Sequence, residues 1–206
     1  MEEVIERIIK VEHGFKPFEQ EAIKIIDSHT AQEDKNIALQ LLDNKFYQVR
    51  CLSVFILGYL AVKDLTCLET LKAQAQLDKS WQVQEIIAKA FDQYCKDNGY
   101  DNSLSVIQEW INHSHPNVCR AVTEGLRIWT GRPYFKHNPT KAIELISVNK
   151  SSPSEYLRRS TGNSLRDIAK KYPDLVTAEI CNWDLSIPEI ASTYSSVYSK
   201  IACQTL

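Results

Sequence analysis

The sequence predicts an all-α fold, a right-handed α-solenoid of stacked antiparallel helix pairs. Two observations predict it. First, four segments, VRCLSVFILGYLA, VQEIIAKAFDQYC, VCRAVTEGLRIWT and LRRSTGNSLRDIA, align on the apolar anchors Val49, Val83, Val118 and Leu157, at intervals of 34, 35 and 39 residues. A sustained period of that length marks an array of helical repeats, in which each pair buries its apolar stripe only against its neighbours. Second, the 206 residues include only 6 Gly and 7 Pro, too few turn formers for a β architecture.

Each element has its own signal. Val4, Ile5, Ile8 and Ile9 fall at helical spacing within residues 2–12. Pro17 opens a second helix that runs to Ile26. Thr30 and Glu33 form a capping box ahead of a third helix, which ends near Leu42. The four aligned segments are the long helices. Shorter ones fall between them at 64–77, 100–112, 139–147 and 173–182. Pro116 opens the third long helix, which Gly131 and Pro133 end, and residues 130–139 form an insert before Asn138–Pro139 starts the next helix. Ser152-Pro153-Ser154-Glu155 opens the fourth, with Ser152 read as the capping serine, and Tyr172–Pro173 stops it. After Ile187–Pro188 a short final helix ending near Cys203 would cap the stack. No linker interrupts the pattern, so residues 1–206 read as a single domain.

Composition narrows the function classes. At 44% hydrophobic and 24% charged, the chain has an ordinary soluble composition. MEEVIERIIKVEHGF is acidic and lacks the apolar run of a leader, and no stretch is long enough to span a bilayer. A cytoplasmic protein without a membrane partner is expected. The six cysteines, Cys51, Cys67, Cys95, Cys119, Cys181 and Cys203, show no CxxC spacing and read as reduced, buried thiols. His113 and His115 stand in a turn before a proline, with no further ligands at useful spacing. No metal and no cofactor are expected.

Charge points to a confined anionic partner. Residues 120–171 carry 11 Lys/Arg against 4 Asp/Glu, a net +7, while residues 1–119 are at −6 and residues 172–206 at −3. In a stacked array, equal columns of successive repeats become neighbours. One residue after the anchors stand Arg50, Gln84, Cys119 and Arg158, and two after stand Cys51, Glu85, Arg120 and Arg159. Six after stand Phe55, Lys89, Glu124 and Asn163. A concave basic groove holding Arg120, Arg127, Arg158, Arg159, Arg166, Lys170 and Lys171, with Glu124 and Asp167 among them, could track phosphates. The same residues could also form ordinary ladder pairs such as Arg120–Glu124 and Arg159–Asp167, the reading that the columns alone favour. Trp81, Trp129 and the insert TGRPYFKHNP with Arg132 interleave aromatics with cations, as stacking on nucleic acid requires. Taken singly, Trp81 and Trp129 could also be plugs between repeats. Trp110 and Trp183 have no charged company and read as packing residues.

The register of the long helices is HEAT-like; the Trp–Leu–Gly–Tyr pattern of tetratricopeptides is absent. HPNVCRAVTEGLR at 115–127 and YLRRSTGNSLRDIAKKYPDLV at 156–176, with WQVQE at 81–85, resemble the HEAT-like-repeat DNA alkylation repair proteins, the AlkC/AlkD superfamily, nearer the AlkC branch. The resemblance covers about the last two thirds of the chain. It implies a monofunctional DNA glycosylase that hydrolyses the N-glycosidic bond of N3- or N7-alkylated purines in double-stranded DNA, acting as a monomer. By the same resemblance Glu124 is a catalytic carboxylate, Asp167 an acidic partner in the same cleft and Glu85 a second candidate. Arg120 is then a contact to the lesion and Trp129 a stacking surface for deoxyribose. The chain departs from the pattern at Cys119, where the branch often has arginine, and at IWTGRPYF, which replaces a proline-rich stretch with Trp. Those departures keep an alternative open: a non-catalytic HEAT-like binder of DNA structure or of proteins.

Overall fold

Helix starts follow the local chemistry read above. The computed structural model describes residues 1–201, and side chains through residue 198; Cys203 and the helix end expected there lie outside them. In the first of two compact units, Met1–Asn98, the chain forms α1 (Glu2–Ile8), α2 (Lys16–Ile26), α3 (Ala31–Leu42), α4 (Tyr47–Leu60), α5 (Leu65–Leu77) and α6 (Trp81–Asn98). The capping box is made in full. Thr30 Oγ1 accepts from the Glu33 amide at 3.3 Å, and the Glu33 carboxylate accepts from the Thr30 amide at 2.8 Å. The centre of this unit is α4, packed by α2, α3, α5 and α6. It is apolar almost all round, as a helix enclosed by others must be: Val49, Leu52, Val54, Ile56 and Leu57 are wholly buried. Gly58 permits the contact with α6, because a Cβ there would stand 2.7 Å from that of Ala90.

The second unit, from Gly99 onward, holds α7 (Leu104–Ile111), α8 (Pro116–Gly125), a 3-10 turn at Trp129–Gly131, α9 (Pro133–His137), α10 (Pro139–Ser147), α11 (Glu155–Ala169), α12 (Pro173–Ile180) and α13 (Pro188–Ile201). Here α11 is central, against α8, α10, α12 and α13. Gly162 lets α13 approach, since any side chain there would strike Ser196. No described helix is long and apolar enough to cross a membrane.

Four expectations change. The serine that caps α11 is Ser154, whose hydroxyl accepts from the Leu157 amide; Ser152 instead accepts from the Ser154 amide. The final helix is 14 residues long rather than short. Of the described cysteines, Cys181 is exposed, because it stands at the C-cap of α12; Cys51, Cys67, Cys95 and Cys119 are buried and free. Burial pushes the Cys51 thiol up to about 12 and that of Cys67 up to about 11, which makes both poor nucleophiles. Finally, α8 ends at Gly125, several residues before the expected end. Its last carbonyls are satisfied from outside the helix. Thr123 O accepts from Trp129 Nε1 at 3.1 Å and from Ser164 Oγ at 3.3 Å, and Gly125 O accepts from Arg132 Nη2 at 3.1 Å. The insert then folds into the 3-10 turn and α9.

One repeat column has a single structural task. The residue after each anchor donates to the carbonyl six residues back: Arg50 to Asn44 at 2.9 Å, Gln84 to Asp78 at 2.8 Å, Cys119 to His113 at 3.0 Å and Arg158 to Ser152 at 2.7 Å. Each bond ties the turn that precedes a long helix onto that helix's first turn. Cys119, where the resemblance leads one to expect arginine, does the same with a thiol. The turn before α8 is also closed by the histidines of HSHP: His113 Nδ1 accepts from the His115 amide at 3.0 Å, and His115 Nδ1 from the Asn117 amide at 3.3 Å.

Candidate nucleic-acid interface

In the second unit α8 and α11 lie side by side and bring the TEGLR and NSLRD segments together. The chain leaves the helix after Gly125, which lets Arg127 turn toward both acids. Its Nε donates to Asp167 Oδ2 at 2.7 Å, and its Nη1 lies 3.3 Å from Glu124 Oε2. Lys170, one turn beyond Asp167, donates to Asp167 Oδ1 at 2.7 Å. The side chains of Glu124, Asp167 and Arg127 keep 14%, 11% and 33% of their exposure, so the cluster is shielded yet open to water. Burial acts to raise the Asp167 carboxyl, but the bonds from Lys170 and Arg127 outweigh it and hold Asp167 below the usual aspartate range. Burial likewise acts to lower Arg127, and its bond to Asp167 with the charge of Glu124 more than offsets that. Two carboxylates are thus held on one guanidinium, and Asp167 is ionised at neutral pH.

The other predicted residues divide by task. Arg120 is 6% exposed, and its guanidinium carbon stands 4.1 Å from the centre of the Tyr156 ring. Arg159, Lys170 and Lys171 are exposed, with Lys171 over the Tyr172 ring at 5.2 Å. Arg166 bonds to Asn163 Oδ1 and to the Ser196 carbonyl, tying α11 to α13. Arg158 is the turn clamp described above. Arg132 donates to the carbonyls of Gly125 and Arg127, so it holds the end of α8.

Trp129 requires a correction. It is wholly buried, its indole N–H spent on Thr123 O and its ring 4.9 Å from that of Phe135, edge to face. It plugs the core and offers no face to a sugar. Trp81 is the reverse: it starts α6 in the first unit, is 60% exposed, and meets the Phe15 ring edge to face, at 6.3 Å between ring centres. Glu85, one turn further along α6, is half-buried. Trp183, read as having no charged company, has Lys150 Nζ 5.6 Å from its ring and donates to Glu179 at 3.0 Å. Tyr156 was missed altogether. Its signal was faint: an aromatic three residues before Arg159, whose cation partner lies on another helix.

A family profile described as "DNA alkylation repair enzyme" matches residues 17–186. The chain belongs to that family. AlkD2 from Streptococcus mutans, solved by X-ray crystallography, is 46% identical with a TM-score of 0.89, over 92% of this chain and 91% of that one. The structure of smu.31 from Streptococcus mutans UA159 is 45% identical with a TM-score of 0.86, over 88% of this chain and 90% of that one. At that likeness the solenoid expected from the repeat is established: a HEAT-like helical solenoid, with no strand among the described residues. The uncharacterized protein YhaZ of Bacillus subtilis (strain 168) is 26% identical over 87 residues, 40% of this chain. The chain covers only 24% of the length of that curated relative. These likenesses support the AlkC/AlkD superfamily as a whole and do not place the chain in the AlkC branch.

Proposed function

We propose that this alkylation repair protein is a monofunctional DNA glycosylase that hydrolyses the N-glycosidic bond of N3- or N7-alkylated purines in double-stranded DNA. The observation that carries the reading is the meeting of Glu124 and Asp167 on one guanidinium. An N-alkylated purine already bears positive charge and departs with the bonding electrons, so it needs no strong acid to protonate it. The sugar left behind develops oxocarbenium character, and a nearby carboxylate stabilises it. A water adds to the anomeric carbon and its proton passes to the second carboxylate. In the free protein Arg127 and Lys170 neutralise much of that charge. DNA phosphates compete for both cations, and their transfer to the backbone restores the anionic field beside the sugar. Glu85 is the remaining candidate acid. The reaction needs no metal or cofactor, and the protein works as a monomer in the cytoplasm on DNA.

Incubation with N-methylated DNA tests this directly. Wild type should release 3-methyladenine or 7-methylguanine, and Glu124→Gln or Asp167→Asn should lower the rate on the order of a hundredfold. Absence of release by wild type, or equal rates for wild type and both variants, rejects the assignment.

A second reading is favoured by two features, the neutralised acid pair and the burial of Trp129. In it the chain binds DNA structure without cutting the glycosidic bond. It expects salt-dependent DNA binding that Arg159→Ala weakens, with no base released. A protein-binding scaffold would show no DNA affinity even at low salt.

A further inference from the structure

We infer that Tyr156 is the stacking seat for DNA on the second unit, taking a deoxyribose or an unstacked base of the strand whose phosphate Arg159 holds. The inference rests on the DNA-binding reading shared by both proposals above. Aromatic rings set among arginines are the usual platform for nucleic acid strands, because every base has a π face and every nucleotide a phosphate. Trp129 cannot serve, being wholly buried. Tyr156 stands on the first turn of α11 and is 45% exposed.

One side of its ring is already engaged. The Arg120 guanidinium lies 4.1 Å from the ring centre, and Arg120 itself is 6% exposed. The cation holds the ring in one orientation and draws on its π electrons, which lowers the cost of ordering it on binding. The exposed remainder of the ring faces solvent. Arg159 follows by three residues on α11, so it shares that helix face, and it too is exposed. An aromatic fixed by one arginine, with a second arginine three residues along the same helix, offers one nucleotide a π face and a phosphate donor together.

The test is a titration of labelled duplex DNA with the full chain, read by fluorescence anisotropy over a series of salt concentrations. Loss of the ring in Tyr156→Ala should weaken binding about tenfold at every salt concentration, because stacking is not a counterion effect. Tyr156→Phe should bind within about twofold of wild type, since it keeps the π face. Arg159→Ala should lower the salt slope by about one. Tyr156→Leu, which keeps bulk without a ring, is the control should Tyr156→Ala melt early, and it should match the alanine loss. Wild-type affinity in Tyr156→Ala or Tyr156→Leu overturns the seat while leaving DNA binding intact. A fall in salt slope matching that of Arg159→Ala overturns it as well, because Tyr156 would then act only through that arginine's phosphate contact. Absence of salt-dependent binding by wild type removes the DNA reading itself, and the seat with it.

Discussion

Arg50 on α4 and Arg158 on α11 each follow the anchor of a long helix, and each donates from Nη1 to the carbonyls six and five residues back. In the first unit the fold takes the rest of the guanidinium too. Arg50 Nε and Nη2 grip both oxygens of Asp78, at 2.6 and 3.1 Å, and Asp78 also accepts from Gln74 and from the Ser80 amide. In the second unit Arg158 Nε has no partner among the described residues. The surrounding helices differ in the same sense. The buried face of α4 covers most of its circumference, whereas α11 carries Arg159, Arg166 and Asp167 within 15 residues. Where α4 commits its polar groups to holding the repeat together, α11 keeps one cation, Arg159, exposed to water.

The largest test of that contrast uses the two tryptophans. Trp129→Ala should lower stability by about 3–5 kcal/mol, since it empties a filled site in the second unit and leaves the Thr123 carbonyl only its bond from Ser164. Trp81→Ala in the first unit should change it by no more than about 0.5 kcal/mol, because the ring is mostly in water. Chemical denaturation of both variants gives the comparison. Equal losses would mean that exposure does not separate the structural aromatic from the available one.

The arginine pair gives the next effect. Arg50→Ala leaves Asp78, 2% exposed, as a buried charge without its partner, a loss of about 3 kcal/mol. Arg158→Ala removes two bonds to carbonyls at a half-exposed position, and about 1 kcal/mol is expected. Arg50→Met combined with Asp78→Leu should recover much of the first loss, because the charge to be compensated is gone. If Arg158→Ala proved as costly as Arg50→Ala, α11 would be as fully committed to the fold as α4.

Much of the helical frame was legible in the sequence. Thr30 with Glu33, Pro116, Pro139 and Pro173 mark starts through local chemistry alone, and the four anchors mark the repeat. The first column after the anchors was visible as a column, but its meaning was not. A donor aimed at a carbonyl six residues back can be Arg, Gln or Cys, so residue type hides the shared geometry. The end of α8 was illegible for a different reason. It depends on Ser164, 41 residues on, and on the way Trp129 and Arg132 fold back. Glu124 and Arg127 are three residues apart, and the bond between them forms once the chain has left the helix. Motif resemblance put Glu124 and Asp167 in one cleft; the structure sets both on the Arg127 guanidinium, a link that needs the approach of α8 to α11 and so leaves no trace in spacing.

The smallest effect concerns that pair and its pH dependence. Asp167 is held below its ordinary value in the folded chain, because the bonds from Lys170 and Arg127 outweigh its burial. A depressed folded value means that its ionised form adds stability above the unfolded aspartate range of about 4, and that this is lost as pH falls through the folded value. The margin of wild type over Asp167→Asn should therefore be flat between about pH 7 and pH 5 and should narrow below about pH 4. Asp78 is depressed in the same direction, with burial again opposed by the bond from Arg50, and should behave likewise in the first unit. Salt separates the two. Lys170 is 63% exposed and its bond is screened by added salt, whereas the Arg50–Asp78 pair, at 18% and 2%, is sheltered. The Asp167 margin should then shrink on going from low salt to about 1 M while the Asp78 margin holds. An Asp167 margin insensitive to both pH and salt would show the acid pair to be as locked into the fold as Asp78, and would remove the charge exchange with DNA on which the glycosylase reading depends.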